Sequence, residues 1–186
     1  VSSGNKSKGA IVTGIDPAKE DEFTHLSRNM KEGEYLSSHD TAILVSYKLS
    51  EFLKVKTGDT IVLIGQGHQG SSAAAQYRIK GIVKLPSLEF DNKMVYLPLA
   101  AAQDFYSAQN LLTSLVIDIK KPVKMTSTAA SIKANIPSSF DVMTWQEMLE
   151  ELHQQFLIDN IGGLIMLFIL YLIVGFGVFG TVLMMT

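Results

Sequence analysis

The last charged residue of this chain is Asp159, and from Ile161 to Thr186 it reads IGGLIMLFILYLIVGFGVFGTVLMMT without an Asp, Glu, Lys or Arg. The hydrocarbon core of a bilayer is about 30 Å thick, and a helix rising about 1.5 Å per residue needs about 20 apolar residues to cross it. The stretch is long enough to span with some tilt. A buried core helix rarely carries so long an unbroken apolar run, because a helix of a soluble domain keeps a polar face. A transmembrane helix over residues 161–186 is therefore expected. Its place at the far end of the sequence excludes a cleaved signal peptide.

The flank of the span sets its orientation. Cytoplasmic flanks are enriched in Lys and Arg. Between Asp141 and Asn160 there is neither, while Glu147, Glu150, Glu151 and Asp159 are present. The soluble part is expected outside the cytoplasm, on the periplasmic face of a bacterial inner membrane. The chain opens on Val1, not Met, and is expected to be a fragment or a processed product.

Charge and cysteine content narrow the function classes. With 16 basic and 18 acidic residues the formal net charge is −2, and the cations are scattered along the chain. No basic stripe marks a nucleic-acid partner. The absence of cysteine removes disulfides, zinc–thiolate sites and thiol nucleophiles together.

Gly65, Gly67 and Gly70 stand in the G-x-G-x-x-G spacing of a dinucleotide loop, within TIVLIGQGHQGSSAAA (Thr60 to Ala75). Such a loop needs a helix beginning at its last glycine, so that amides and the helix dipole face the pyrophosphate. Here the following residues alternate: Tyr77, Ile79, Gly81, Val83 and Leu85 fall on one face, Arg78, Lys80 and Lys84 on the other. A period of two means a strand. The expected structure is a β-hairpin of Thr60–Gly65 with Ala75–Leu85, the glycines shaping its tip. The same spacing at Gly175, Gly177 and Gly180 lies inside the apolar span, where no nucleotide reaches. Gly177 and Thr181 there form a small-xxx-small pair, which either marks a helix–helix contact or merely loosens the helix.

The rest of the soluble part reads as mixed α and β. Ala10–Gly14, Ala42–Val45, Val95–Leu97, Ser114–Ile119 and Phe140–Met143 are expected strands. Asp16 and Pro17 cap a helix expected to end near Gly33. Tyr47, Leu49, Phe52 and Leu53 suit a short helix or turn, Pro98 opens another helix through Phe105, and Lys124–Ala134 reads as a third. The polar VSSGNKSKG makes residues 1–8 an expected flexible segment. The extracytoplasmic domain is then placed at 9–143, a stalk helix at 144–160 and the transmembrane helix at 161–186.

Thr144 and Glu147 match the capping box, and Trp145, Met148, Leu149, Leu152 and Phe156 recur at helical spacing. No proline interrupts the path from Trp145 to Thr186. A continuous helix there would either couple the membrane to the external domain or simply anchor it, with Gly162 and Gly163 as a soft joint at the interface. No catalytic, cofactor-binding or metal-binding set is expected: His25, His39, His68 and His153 are far apart, and nothing like G-x-S-x-G surrounds His68.

GIDP (Gly14–Pro17), EGEYL (Glu32–Leu36), LSEFLKVKTGD (Leu49–Asp59), YRIKGIV (Tyr77–Val83), FDNKMVYLPL (Phe90–Leu99), AAAQDFY (Ala100–Tyr106) and MTWQEMLEEL running into the span occur in that order. The combination resembles the extracytoplasmic domain and following membrane helix of the FtsX-like, MacB-like permeases of ABC transporters, of the macrolide-exporter and lipoprotein-releasing type.

The resemblance implies an α+β fold: a β-rich subdomain over about Gly9–Tyr106, then part of an α/β membrane-proximal subdomain over Leu112–Trp145, followed by the stalk and membrane helix. It implies no cofactor, ATP hydrolysis in a separate cytoplasmic ATP-binding subunit, a second permease copy or related permease as dimer partner, contact with membrane lipid, and an extracytoplasmic protein or lipoprotein as substrate. The implied work is lipoprotein release, export or efflux by mechanotransmission through the stalk. Where lipoprotein-releasing relatives dock a carrier, this chain has the loop Gln66–Ala74, with Gln66, His68, Gln69 and Ser71 as candidate contacts. That loop is short, glycine-rich and without proline. A membrane-anchored interaction domain acting on cell-wall or envelope partners is the alternative.

Overall fold

The computed structural model describes residues 1–119, 124–137, 139–148 and 150–185; within the last helix the side chains of residues 150–159, 179 and 181–183 lie outside the described set. The chain divides into two compact units, Val1–Asp118 and Ile119–Thr186.

In the first unit the elements follow in the order β1 (Ser2–Ser3), β2 (Lys6–Ser7), β3 (Ile11–Ile15), α1 (Pro17–Thr24), a 3₁₀ turn (Leu26–Asn29), β4 (Met30–Gly33), β5 (Ile43–Ser46), α2 (Tyr47–Leu53), β6 (Thr60–Gln66), a 3₁₀ turn (His68–Gly70), β7 (Ser72–Val83), α3 (Leu88–Asp91), β8 (Met94–Pro98) and α4 (Leu99–Tyr106). One sheet has the order β2-β1-β6-β7-β5-β8-β3, with β4 also paired to β7. The architecture is α+β, as expected.

The hairpin forms as its alternation predicts. β6 and β7 pair antiparallel from Thr60↔Arg78 to Gln66↔Ser72, so the strands run further towards the tip than the sequence suggested. Gln66 and Ser72 are ladder residues, and only 67–71 turn. The far half of β7 changes partners, pairing parallel with β5 and antiparallel with β4. That change lets one strand serve both ends of the sheet. Ile43, Val45, Leu49, Ile61, Leu63, Ile79, Val95 and Leu97 close the main core, and Phe105 seals it from α4. Ile15, Leu26, Leu36, Leu44 and Val83 form a second cluster.

Asp91 pins three of these elements. It is 1% exposed, and its Oδ1 accepts from the backbone N–H of Tyr47 at 3.2 Å and of Leu85 at 3.0 Å. The first turn of α2 and the exit of β7 are thereby tied to α3.

Four expectations differ from the structure. The helix begun at Asp16 ends at Thr24, not near Gly33: His25 adopts a left-handed cap at φ 53°, and the Asp21 carboxylate accepts from Ser27 N–H at 2.6 Å and Ser27 Oγ at 2.8 Å. Those bonds fold the chain back into β4. Residues 1–8, read as a flexible segment, hold β1 and β2, which pair with each other and through Ser2 with Val62 of β6. Finally, neither 114–119 nor 140–143 is a strand. Among the described residues no ladder partner stands beside them, and a strand exists only when paired.

The second unit contains α5 (Met125–Asn135), α6 (Trp145–Met148) and α7 (Glu150–Met184). Thr144 and Glu147 form the expected capping box: Thr144 N–H donates to Glu147 Oε2 at 2.7 Å, and Glu147 N–H donates to Thr144 Oγ1 at 3.4 Å. The Thr144 amide, then its hydroxyl, hold the Glu147 carboxyl below the usual carboxylate range. α7 is 35 residues long, about 52 Å at 1.5 Å per residue. Its Asn160–Val178 stretch, with mean hydropathy 2.6, is long and apolar enough to cross a membrane.

Candidate functional site

The tip of the β6–β7 hairpin stands against the end of α4, and its glycines separate by role. Gly67 N–H donates to Ser71 O at 2.7 Å, closing the turn. A Cβ on Gly67 would lie 2.4 Å from Ser71 Oγ and 2.7 Å from the Tyr106 carbonyl oxygen, so only glycine lets the tip seat on the helix. Gly70 adopts φ +81°, a conformation glycine accepts without strain. Gly65 meets only ordinary contacts with Phe105. Gly67 and Gly70 shape the turn, Gly65 is a ladder residue of β6 paired with Ala73, and no helix opens at Gly70.

Behind this tip lies a cleft of about 530 Å³. β3 supplies Val12, Thr13 and Gly14; the tip supplies Gln66, Gly67 and His68; α4 supplies Leu99, Gln103 and Tyr106; Leu111 to Ser114 form the outer wall. The far wall is held by Gln103, whose Nε2 donates to Leu111 O at 3.0 Å. Tyr106 crosses the cleft floor and donates its hydroxyl to Val12 O at 3.1 Å. Burial pushes the Tyr106 hydroxyl pKa up. Phe105 meets both Tyr106 and Tyr77 edge-on, with ring centroids 4.9 Å and 6.1 Å away, which fixes α4 over the sheet. Among the described residues no Asp, Glu, Lys or Arg lines the cleft.

Of the four candidate loop residues, Gln66 and His68 face the cleft; Gln69 and Ser71 do not line it. Gln69 sits at φ 55° in the turn, and the buried Ser71 hydroxyl has no hydrogen-bond partner among the described residues. Thr13, Gln103 and Tyr106 were not foreseen. Their approach joins β3 to α4 across most of the unit, and no local pattern encodes it.

The stalk and span residues lie in the second unit. Trp145 is exposed beside the capping box. Leu152 and Phe156 belong to α7, with side chains outside the described residues. Gly162, Gly163 and Gly177 have open space where a Cβ would project, so each leaves the helix surface free for a neighbour. Thr181, proposed to pair with Gly177, is helical, and its side chain is outside the described residues.

The MacB-like periplasmic core domain family matches residues 1–135 of the chain's 186. No curated protein matches the chain. The chain belongs to the MacB-like periplasmic core domain family, the extracytoplasmic module of ABC-transporter permease-type proteins.

Proposed function

We propose that this chain is the extracytoplasmic domain and following membrane helix of a permease that turns cytoplasmic ATP hydrolysis into mechanical work outside the cell. The observation that carries the reading is α7: a helix of 35 residues in which the charged stretch from Glu150 to Asp159 and the apolar span share one backbone ladder. A helix bends far less readily than a loop, so a displacement of the span is passed to its outer end. An ATP-binding subunit drives the movement from the cytoplasm, and a second permease copy or a related permease completes a dimer in the inner membrane. The work done is release or export of a lipoprotein, or efflux of a smaller substrate.

The test is purification of the intact parent protein from its native membrane in mild detergent. An ATP-hydrolysing subunit is expected to come with it. Recovery without any ATPase would sink the permease reading and leave the alternative, a membrane-anchored domain acting on envelope partners. The uncharged cleft behind the hairpin tip favours that alternative as a protein-binding feature in its own right.

A further inference from the structure

β3 is the last strand of the sheet, and its phase in the ladder identifies which backbone groups are unused. It pairs parallel with β8, Ile11↔Met94 through Ile15↔Pro98, and Ile11 N–H donates to Lys93 O at 2.7 Å. In a parallel ladder only alternate residues bond to a given neighbour. Ile11, Thr13 and Ile15 therefore turn their N–H and C=O to β8, while Val12 and Gly14 turn theirs the other way. Tyr106 takes the Val12 carbonyl. Among the described residues Val12 N–H and both backbone groups of Gly14 are left as a donor, donor, acceptor row, and Val12, Thr13 and Gly14 line the 530 Å³ cleft.

We propose that the cleft binds an extended polypeptide segment of a protein partner, which adds to β3 as an antiparallel edge strand. Opposite Gly14, one residue of the peptide exchanges two hydrogen bonds, and Val12 N–H supplies a third. Leu99, Leu111 and Leu112 give apolar walls for its side chains, while the side-chain amide of Gln66 and the Oε1 of Gln103 line the cleft within its reach. Charge selects the same occupant. With no charged side chain in the lining, an ionic headgroup or a phosphate would lose its hydration without compensation, whereas a neutral peptide backbone matches the row in polarity and spacing.

The inference rests on reading the domain as one that engages proteins outside the cytoplasm. It is tested apart from the permease reading, because the ATPase recovery above is independent of the cleft. The full chain in detergent micelles is used to select from a displayed library of random octapeptides, with counter-selection on Val12→Pro. That variant removes the outward N–H and leaves the bonds to β8; because Val12 also packs against the main core, its fold is checked by thermal unfolding before it is used. Leu112→Asp, at an exposed wall position, serves as a second variant should Val12→Pro unfold.

Enriched peptides are expected to lose affinity about tenfold in either variant. They should lose about as much when N-methylated on the edge-facing amides, and nothing when methylated on the opposite edge; a tenfold change corresponds to about 1.4 kcal/mol. Failure to enrich any peptide overturns the proposal. So does binding indifferent to the methylation pattern or to both variants. A dimer of the free chain that Val12→Pro dissociates in light scattering would assign the edge to a second copy instead, and would likewise overturn it.

Discussion

Tyr106, at the end of α4, donates its hydroxyl to the carbonyl oxygen of Val12 in β3 at 3.1 Å, across 94 residues of sequence. The bond fastens the helix to the outermost strand of the sheet across the floor of the cleft. Tyr106→Phe keeps the ring packed on Phe105 and removes only that bond. A loss of about 0.5–1.5 kcal/mol in unfolding free energy is expected, read by denaturant titration of the chain in micelles. No loss would mean that water replaces the hydroxyl without cost.

Gly14 and Ala102 hold α4 against β3. A Cβ on Gly14 would sit 2.3 Å from the Ala102 Cβ. Gly14→Ala is expected to cost about 1–3 kcal/mol by overpacking. In combination with Ala102→Gly the double variant should be less destabilised than the sum of the two, because the clash is removed. Additive losses would show that the strain lies elsewhere.

Asp91 is expected to be the most sensitive polar position of the first unit. Asp91→Ala leaves the Tyr47 and Leu85 amides without their acceptor, for a loss of about 2–4 kcal/mol. Asp91→Asn keeps an oxygen in place and should recover most of it. Equal losses in the two variants would mean that the charge matters, not the acceptor.

Asp40 links stability to pH. Lys80 Nζ lies 2.6 Å from its Oδ2, and the Ser37 amide donates at 2.7 Å. These bonds, Lys80 first, hold the Asp40 carboxyl below its ordinary value of 3.8. A carboxyl depressed on folding contributes stability above its unfolded pKa and loses it as pH falls through the folded one. Acidification below pH 3.8 should therefore lower the wild-type melting temperature more steeply than that of Asp40→Asn. Parallel curves would show that the ion pair is inert.

Prolines at Gln155 and Leu157, within α7, would each break a helix hydrogen bond, at about 3 kcal/mol or more. The Gln155→Pro, Leu157→Pro double variant should reduce transport at least tenfold, a barrier change of about 1.4 kcal/mol. Circular dichroism of the sheet domain should stay the same. Unchanged transport would argue against coupling through this helix.

Where a fold element depends on its own residues, the sequence was sufficient. The alternation after Gly70 marks β7, Pro98 opens α4, Lys124–Ala134 predicts α5 to within a residue, and the Thr144–Glu147 box has its reciprocal bonds. Where an element depends on a distant partner, it was not. The end of α1 rests on the side chain of Asp21 reaching Ser27, a competition that helix periodicity does not contain. The strands expected at 114–119 and 140–143 find no ladder partner among the described residues.

The candidate site divides in the same way. The hairpin tip was legible locally, because a two-residue period after the glycines marks it, whereas Gln66, His68, Gln69 and Ser71 were singled out only by the resemblance, and of these the fold brings Gln66 and His68 to the cleft. Thr13, Gln103 and Tyr106 were invisible, because each becomes significant only when α4 docks on β3. The apolar span and the acidic flank before it were determined by composition alone, since transfer into hydrocarbon depends on the residues transferred and hardly on their neighbours. The edge position of β3, the composition of the cleft and the two bonds that the Asp91 carboxylate accepts were decided by tertiary structure, since hydrogen bonds are directional and their partners are brought within reach only by the packed chain.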